Sequence, residues 1–457
     1  MTFFLFWPNA AELRREGYGS VAHVPCVFNS EWQYEGEVSR YLRERALLEY
    51  MPAKEASYRM RAPRYPTEAS LRSFGEAITN FLEWCEARQV RWQEVDYTQD
   101  LVGRYQKEML TGAWSVRAKA LSASTVNSRI NETCRFLSWA AERGLRRPFT
   151  VIAGRIFINA PSGMSTHGHK PRQVQQRAGA VRPDPKTLRL PSDIEVEAWH
   201  SAVRTERGFT KALICELILK TGIRREEAAQ WRIDTLPENR DDWQLSGEYV
   251  TVTIKYGTKG SKTADEFGET NIGPSRLIII PLELADRIAE YREVMWPQLR
   301  AKYVRAATST TEKRQRMNNI PRQLFLSDFD GRPLTAKTIY EAWAESSRLP
   351  FPGWCPHQGR HYWACKWLLQ SINARSKAHV NNISSGLADN GLIGNAMDTI
   401  MLQIKPQLGH VSAETSQRYM VWLQRALTLT GLNDVYEKSL EAIALTSFED
   451  SDDRTIK

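Results

Sequence analysis

The sequence predicts a mainly α-helical protein with a small antiparallel β-sheet, built as a helical N-terminal domain followed by a larger helical domain that holds the sheet. Apolar residues recur at helical spacing along most of the chain. Near the middle, one alternating stretch and one apolar stretch read as paired strands. A length of 457 residues exceeds what one hydrophobic core organises, so two or three domains are expected. With 42% hydrophobic and 25% charged residues, the composition is that of a folded globular protein.

Residues 1–62 mix aromatic and charged residues, with a helical stretch at SEWQYEGEVSRYLRERALLEYM, and read as an N-terminal extension without an assignable role. In residues 63–150, Leu71, Phe74, Ile78, Phe81 or Leu82, and Cys85 recur as one buried helical face. A second helix, SASTVNSRINETCRFLSWAAERG, buries Val126, Ile130, Cys134 and Leu137 and stops at Gly144, placed as a C′ glycine. Its other side carries Arg129 and Arg135. Residues 151–190 are rich in Pro, Gly and basic side chains and lack hydrophobic period, which predicts an extended linker, either lying along a polyanion or serving as a plain tether.

The second domain, residues 191–430, opens with the capping box Ser192 to Glu195. KALICELILK is an apolar helix closed by Thr221-Gly222, where glycine permits a tight turn that lets Arg224 project from the start of the next helix. EYVTVTIKYGTKGSK alternates through Val250, Val252 and Ile254 before a lysine-bearing turn, and SRLIIIPL is the returning strand. Pro356 then opens the helix PHQGRHYWACKWLL. In residues 431–457, LNDVYEKSLEAIAL offers Val435 or Tyr436, Leu440 and Ile443 on one helical face ahead of an acidic end.

Charge is unevenly spread. The chain carries 62 Lys and Arg against 53 Asp and Glu, a net of +9, yet residues 101–190 alone hold 16 basic against 4 acidic residues, or +12. Such concentration is the footprint of a polyanion-binding face, and Arg129, Arg135, Lys170, Arg172, Arg177 and Arg182 are its candidate contacts. No apolar run reaches the roughly 18 residues a membrane span needs. The opening MTFFLFWPN lacks a basic region before its apolar residues, which argues against a secretion signal. The 6 cysteines form no CxxC pair and fit a reducing compartment, so a cytoplasmic location is expected.

Two short stretches carry chemistry. His357 and Arg360 share a helical face and together suit an anion. His357 and His361 have the i, i+4 spacing of zinc-binding helices, but the glutamate of that motif is missing and an arginine stands between them, so no metal is expected. In LGHVSAETSQRYM, His410 precedes Tyr419 by nine residues.

Taken in order, TGIRREEAAQW, TKGSK, HQGRHYWA and LGHVSAETSQRYM resemble the tyrosine recombinase (phage integrase) family over roughly residues 65–430. The resemblance implies a helical core-binding domain and a tyrosine-recombinase catalytic domain that cleave and rejoin double-stranded DNA through a 3′-phosphotyrosyl bond, with neither cofactor nor ATP. It implies Arg224, Lys259, His357, Arg360, His410 and Tyr419 as catalytic residues, with Lys262 and Lys255 as alternatives to Lys259. Two guanidiniums grip the non-bridging oxygens of a phosphodiester in forks that lysine cannot match. A phenol, with its pKa near 10, needs a base and a strong field to attack. A homotetramer on DNA and a monomer free are implied, with room for accessory proteins and with the C-terminal helix docked either on a neighbouring protomer or on its own domain. Two other functions stay open: DNA relaxation by a type IB topoisomerase, which would use nearly the same groups, and DNA binding without catalysis by a protein of the same fold, which would not need all six.

The sequence departs from the family pattern at four places. Gly359 stands where an apolar residue is usual and Tyr362 where a small hydroxyl residue is frequent, which predicts looser packing beneath Arg360. Residues 371–400 read as an insert between Arg360 and His410. The hairpin loop is long, which is why the lysine stays open.

Overall fold

The computed structural model describes residues 2–52, 65–115, 118–158, 172–182, 188–260, 272–380, 396, 398–410, 418–423 and 425, with the side chains of 155–158, 172–175 and 373–380 left aside. The chain divides into two compact units, Met1–Lys186 and Thr187–Lys457.

In the first unit, strands β1 (Phe3–Phe6) and β2 (Cys26–Asn29) pair antiparallel, and helix α1 (Gly36–Ala46) follows. Helices α2 (Glu68–Ala87) and α3 (Ala123–Glu142) form the bundle, each started by a hydroxyl that accepts a backbone N–H: Thr67 for α2 and Ser122 for α3. The predicted faces are the buried ones. Leu71, Ile78 and Phe81 on α2 and Val126, Ile130 and Leu137 on α3 have no exposed surface. Gly144, with φ at 70°, sits just past the end of α3 as expected.

Residues 2–52 are not a detached extension, because their apolar side chains enter the same core. Tyr41 lies edge-on to Phe136 and Trp139 of α3, with ring centroids 5.5 and 5.3 Å away, and its hydroxyl donates to Glu132 at 2.7 Å. Glu44, buried, accepts from the indole of Trp139 at 2.8 Å and from Arg143. A carboxylate this deep is tolerated only because charge-assisted donors replace its water.

Part of the stretch expected to be an extended linker is a strand pair instead. Strands β3 (Ala153–Ile158) and β4 (Arg172–Arg177) run antiparallel, with Ala153 opposite Arg177. Arg177 is buried, donating to Asn131 at 3.0 Å and to Asn127 at 2.7 Å, so the structure withdraws it from the polyanion-binding candidates. Arg129 donates to Asn80 at 2.8 Å and Arg135 pairs with Glu132 at 2.9 Å, both half-buried, whereas Arg182 is exposed. Arg172 lies in β4, and Lys170 falls outside the described residues.

The second unit is organised around one helix. Helix α4 (Asp193–Arg207) begins with the predicted Ser192–Glu195 capping box, and α5 (Phe209–Thr221) follows. Helix α5 is apolar on nearly every side, which fits a helix surrounded by partners. It packs against α4, α6 (Arg225–Ala229), strand β7 (Ile272–Pro281), α7 (Ala336–Ala344) and α8 (Pro356–Val380). The sheet has the order β5 (Gln244–Ser246), β6 (Tyr249–Tyr256), β7, with both pairings antiparallel. Val250, Val252 and Ile254 alternate inward from β6, as the sequence pattern predicts. Residues 371–380 of the expected insert continue α8, and residues 381–395 and 426–457 lie outside the described residues.

The departures at Gly359 and Tyr362 do not loosen the packing. A Cβ at Gly359 would come within 2.4 Å of Trp343, so the missing side chain is the space that Trp343 of α7 occupies. Trp343 in turn packs against Trp199 and Trp354 with the rings tilted, their centroids 4.4 and 5.5 Å away. The Tyr362 hydroxyl donates to Asp193 at the start of α4. Gly359→Ala is therefore expected to overpack this contact and lower stability by about 1–3 kcal/mol, read as a shifted urea midpoint with unchanged slope.

Candidate active site

The site grows from the C-terminal end of α5. Gly222 takes the left-handed conformation, φ 66°, and a Cβ there would lie 2.7 Å from Trp363 and 2.8 Å from Leu408. Both the turn and the close approach require glycine. The chain then leaves α5 sharply and Arg224 becomes the N-cap of α6. Glu227, three residues on, accepts the Arg224 backbone N–H at 2.7 Å and its Nη1 at 3.0 Å.

Glu227 is fully buried and also takes both Nη groups of Arg276, on β7, at 2.6 and 2.7 Å. Burial alone would raise its pKa, but the fork from Arg276 and the nearby Arg224 charge reverse this and hold it below the usual carboxylate range. Gln407 ties the other side together. Its amide donates to Thr221 O at 3.0 Å and Ile279 O at 2.9 Å, and its oxygen accepts the Ile279 N–H at 2.9 Å. The end of α5, strand β7 and helix α9 (Lys405–Leu408) are thus fastened at one point.

Arg360 lies on the first turns of α8, nearly inaccessible to solvent. Its Nη1 donates to Gly222 O at 2.6 Å and its Nη2 to Leu408 O, while Arg224 Nη2 donates to the next carbonyl, Gly409 O, at 3.1 Å. Two guanidiniums from distant parts of the chain therefore hold adjacent carbonyls. Arg224, His357 and Arg360 line one cavity of about 270 Å³. Burial, then the charge of Arg224, lowers the Arg360 pKa to about 9.

Gly409 turns left-handed, φ 59°, against the Arg276 side chain and leads into His410. The His410 and Tyr419 rings stack at 6.2 Å, inclined by only 7°. Tyr419 has no exposed surface, and its hydroxyl is 3.0 Å from Nδ1 of His361, whose ring lies 4.4 Å from that of His357. Burial raises the phenol pKa above its ordinary value, partly countered by Arg360, Arg418 and Arg224.

Five of the six residues expected to act are thus gathered: Arg224, His357, Arg360, His410 and Tyr419. Lys259 is exposed in the turn after β6, two residues beyond Gly257, whose backbone lies against that of Glu226. Lys255 is exposed with its ammonium 5.4 Å from the Tyr256 ring, and Lys262 is outside the described residues. Glu227, Arg276, Gln407, His361 and Arg418 join the site without having been assigned to it from sequence. Glu227 and His361 had a usable signal: each stands one helical turn beyond a residue already singled out, Arg224 and His357.

The histidines are held neutral. Burial, followed by neighbouring positive charge, brings His410 and His361 down to about 3 and lowers His357 as well. The unfolded chain takes up these protons near pH 6.5, whereas the folded chain resists them to about 3, so stability falls as pH drops between those values. Thermal midpoints are expected to decline from about pH 7 to about pH 5, and His410→Asn should flatten that decline.

Neither a protein-family model nor a curated protein matches the sequence. Among solved structures, the chain is similar to the XerH site-specific recombinase in a post-cleavage complex with palindromic difH substrate, at 15% identity, covering 80% of each chain with a TM-score of 0.46. It is similar to the Tn1549 transposon integrase (residues 82–397) in complex with circular intermediate DNA, at 14% identity, 80% of this chain, 92% of that one and a TM-score of 0.41. It is also similar to a lambda integrase (75–356) dimer bound to a COC′ core site, at 14% identity, 84% and 94% coverage and a TM-score of 0.39. Among the described residues, no helix is long and apolar enough to cross a membrane.

Proposed function

We propose that this chain transfers DNA strands through a covalent phosphotyrosine, and that within that class it is a site-specific tyrosine recombinase. The observation that carries the reading is the grip of Arg224 and Arg360 on the adjacent carbonyls of Gly409 and Leu408, beside a His410 ring stacked on Tyr419. Those donors are brought near one another from distant parts of the chain, as stabilising the charge that develops on a phosphorane requires.

In this reaction the Tyr419 oxygen attacks phosphorus and the bond from phosphorus to the 5′ oxygen breaks, leaving a 3′-phosphotyrosyl linkage. Arg224 and Arg360 bind the non-bridging oxygens, exchanging their carbonyl partners for phosphate, and His410 donates to one of them. His357, neutral at working pH, accepts the phenol proton. Lys259, or Lys262, protonates the departing 5′ oxygen. The 5′ hydroxyl of a new strand reverses the steps, so neither ATP nor a metal is called for. Exchange between two duplexes takes four such cleavages, hence a tetramer on double-stranded DNA, with the exposed basic residues of the first unit, Arg182 among them, meeting phosphates.

The test is to incubate the protein with nicked duplexes from its own genomic surroundings and look for a denaturant-resistant protein–DNA adduct. Absence of any adduct across such duplexes overturns the proposal. Adducts combined with relaxation of a plasmid carrying no such site would turn it toward a type IB topoisomerase.

A further inference from the structure

Building on the phosphotyrosine reading, we propose that His361 is a catalytic residue which donates a hydrogen bond from Nδ1 to the Tyr419 oxygen, and that Arg418 fixes the tautomer that allows this. His361 is buried, with Nδ1 3.0 Å from the Tyr419 hydroxyl and Nε2 3.4 Å from Nη1 of Arg418. Every guanidinium nitrogen is a donor and none accepts, so the imidazole nitrogen facing Arg418 is the lone-pair one. The single proton of the neutral ring is then on Nδ1. Facing the phenol, Nδ1 donates and the oxygen accepts.

The consequence is the reverse of base catalysis. With one lone pair engaged by His361, the phenol's own hydrogen is turned away from His361 and is free to reach another acceptor. As the proton leaves, the oxygen gains charge and the same N–H stabilises it, since hydrogen bonds to ionised acceptors are the strong ones. His361 thus steers and steadies the nucleophile without ever holding its proton. The groups around it oppose a second proton: His357 and Arg360 on its own helix, Arg418 from the helical residues 418–423, and His410 from the turn after α9. A singly protonated ring is what the tautomer argument requires. Nothing in the HxxRH spacing alone distinguishes this role from a packing histidine, because the deciding contact lies 58 residues away along the chain.

Two measurements test the inference. The first uses the full chain without DNA, labelled with nitrogen-15 histidine, with His361→Phe to assign the resonance. Long-range proton–nitrogen correlations at neutral pH are expected to show the Nδ1–H tautomer at residue 361; an Nε2–H or doubly protonated ring overturns the proposal. The second is single-turnover cleavage of a nicked duplex across pH. His361→Phe removes the donor and is expected to slow cleavage by roughly 10- to 100-fold, the worth of a hydrogen bond to a charged group, and to move the rising limb of the profile to higher pH. His361→Asn, whose amide N–H falls near the Nδ1 position, should recover part of both. Wild-type rate and profile in the phenylalanine variant, or no recovery with asparagine, sinks it. If the wild-type protein forms no adduct on any duplex, the recombinase reading fails and the catalytic role with it, whereas adducts that are indifferent to residue 361 dispose of this inference alone.

Discussion

Tyr419→Phe is expected to abolish the covalent adduct on nicked duplexes while leaving DNA binding within a few-fold of wild type. The substitution deletes one oxygen from a side chain with no exposed surface and keeps the ring that stacks on His410 at 6.2 Å. The fold should survive, because the loss is confined to the contact with His361 Nδ1, which then lacks an acceptor at a cost of about 1–3 kcal/mol. A denaturing gel reads the adduct and a mobility shift reads the binding. An adduct of undiminished yield in the phenylalanine protein would place the nucleophile on another residue.

The second large effect is expected at Arg224. Arg224→Ala should slow single-turnover cleavage by about 100- to 1000-fold, the usual loss when one preorganised donor to a developing oxyanion is removed. A buried carboxylate that loses its only cation ordinarily costs about 3–5 kcal/mol and threatens the fold. Here it does not, since Arg276 continues to hold both oxygens of Glu227 at 2.6 and 2.7 Å. Thermal stability close to wild type with cleavage collapsed is therefore the expected pair of results. Cleavage within about 5-fold of wild type would mean that Arg224 serves the fold and not the phosphate.

Much of the framework was legible because it depends on local chemistry. The faces of α2 and α3, the Ser192–Glu195 box, the glycine at position 222 and the alternation of β6 each follow from residues within a few positions of one another. What escaped the sequence depends on contacts across long stretches of chain. Glu227 is one acid in a run of charges until Arg276 meets it from 49 residues away, and Gln407 gains its meaning from Thr221 and Ile279. Arg177 reads from sequence as a candidate polyanion contact since nothing local marks the two asparagines that enclose it. Gly359 suggests looser packing for a related reason: the indole that fills its place belongs to another helix.

Arg224 and Arg276 on the buried carboxylate of Glu227, with Arg360 beside Arg224, leave an excess of like charge pressed together, which adds to burial, the larger cause, in bringing the proton affinity of Arg360 down to about 9. In the absence of nucleic acid that excess is an internal repulsion borne by the rest of the fold. In the proposed reaction a phosphodiester entering the pocket would cancel it, so part of the expected attraction for DNA would come from pressure released within the protein and not from any bond made to the ligand.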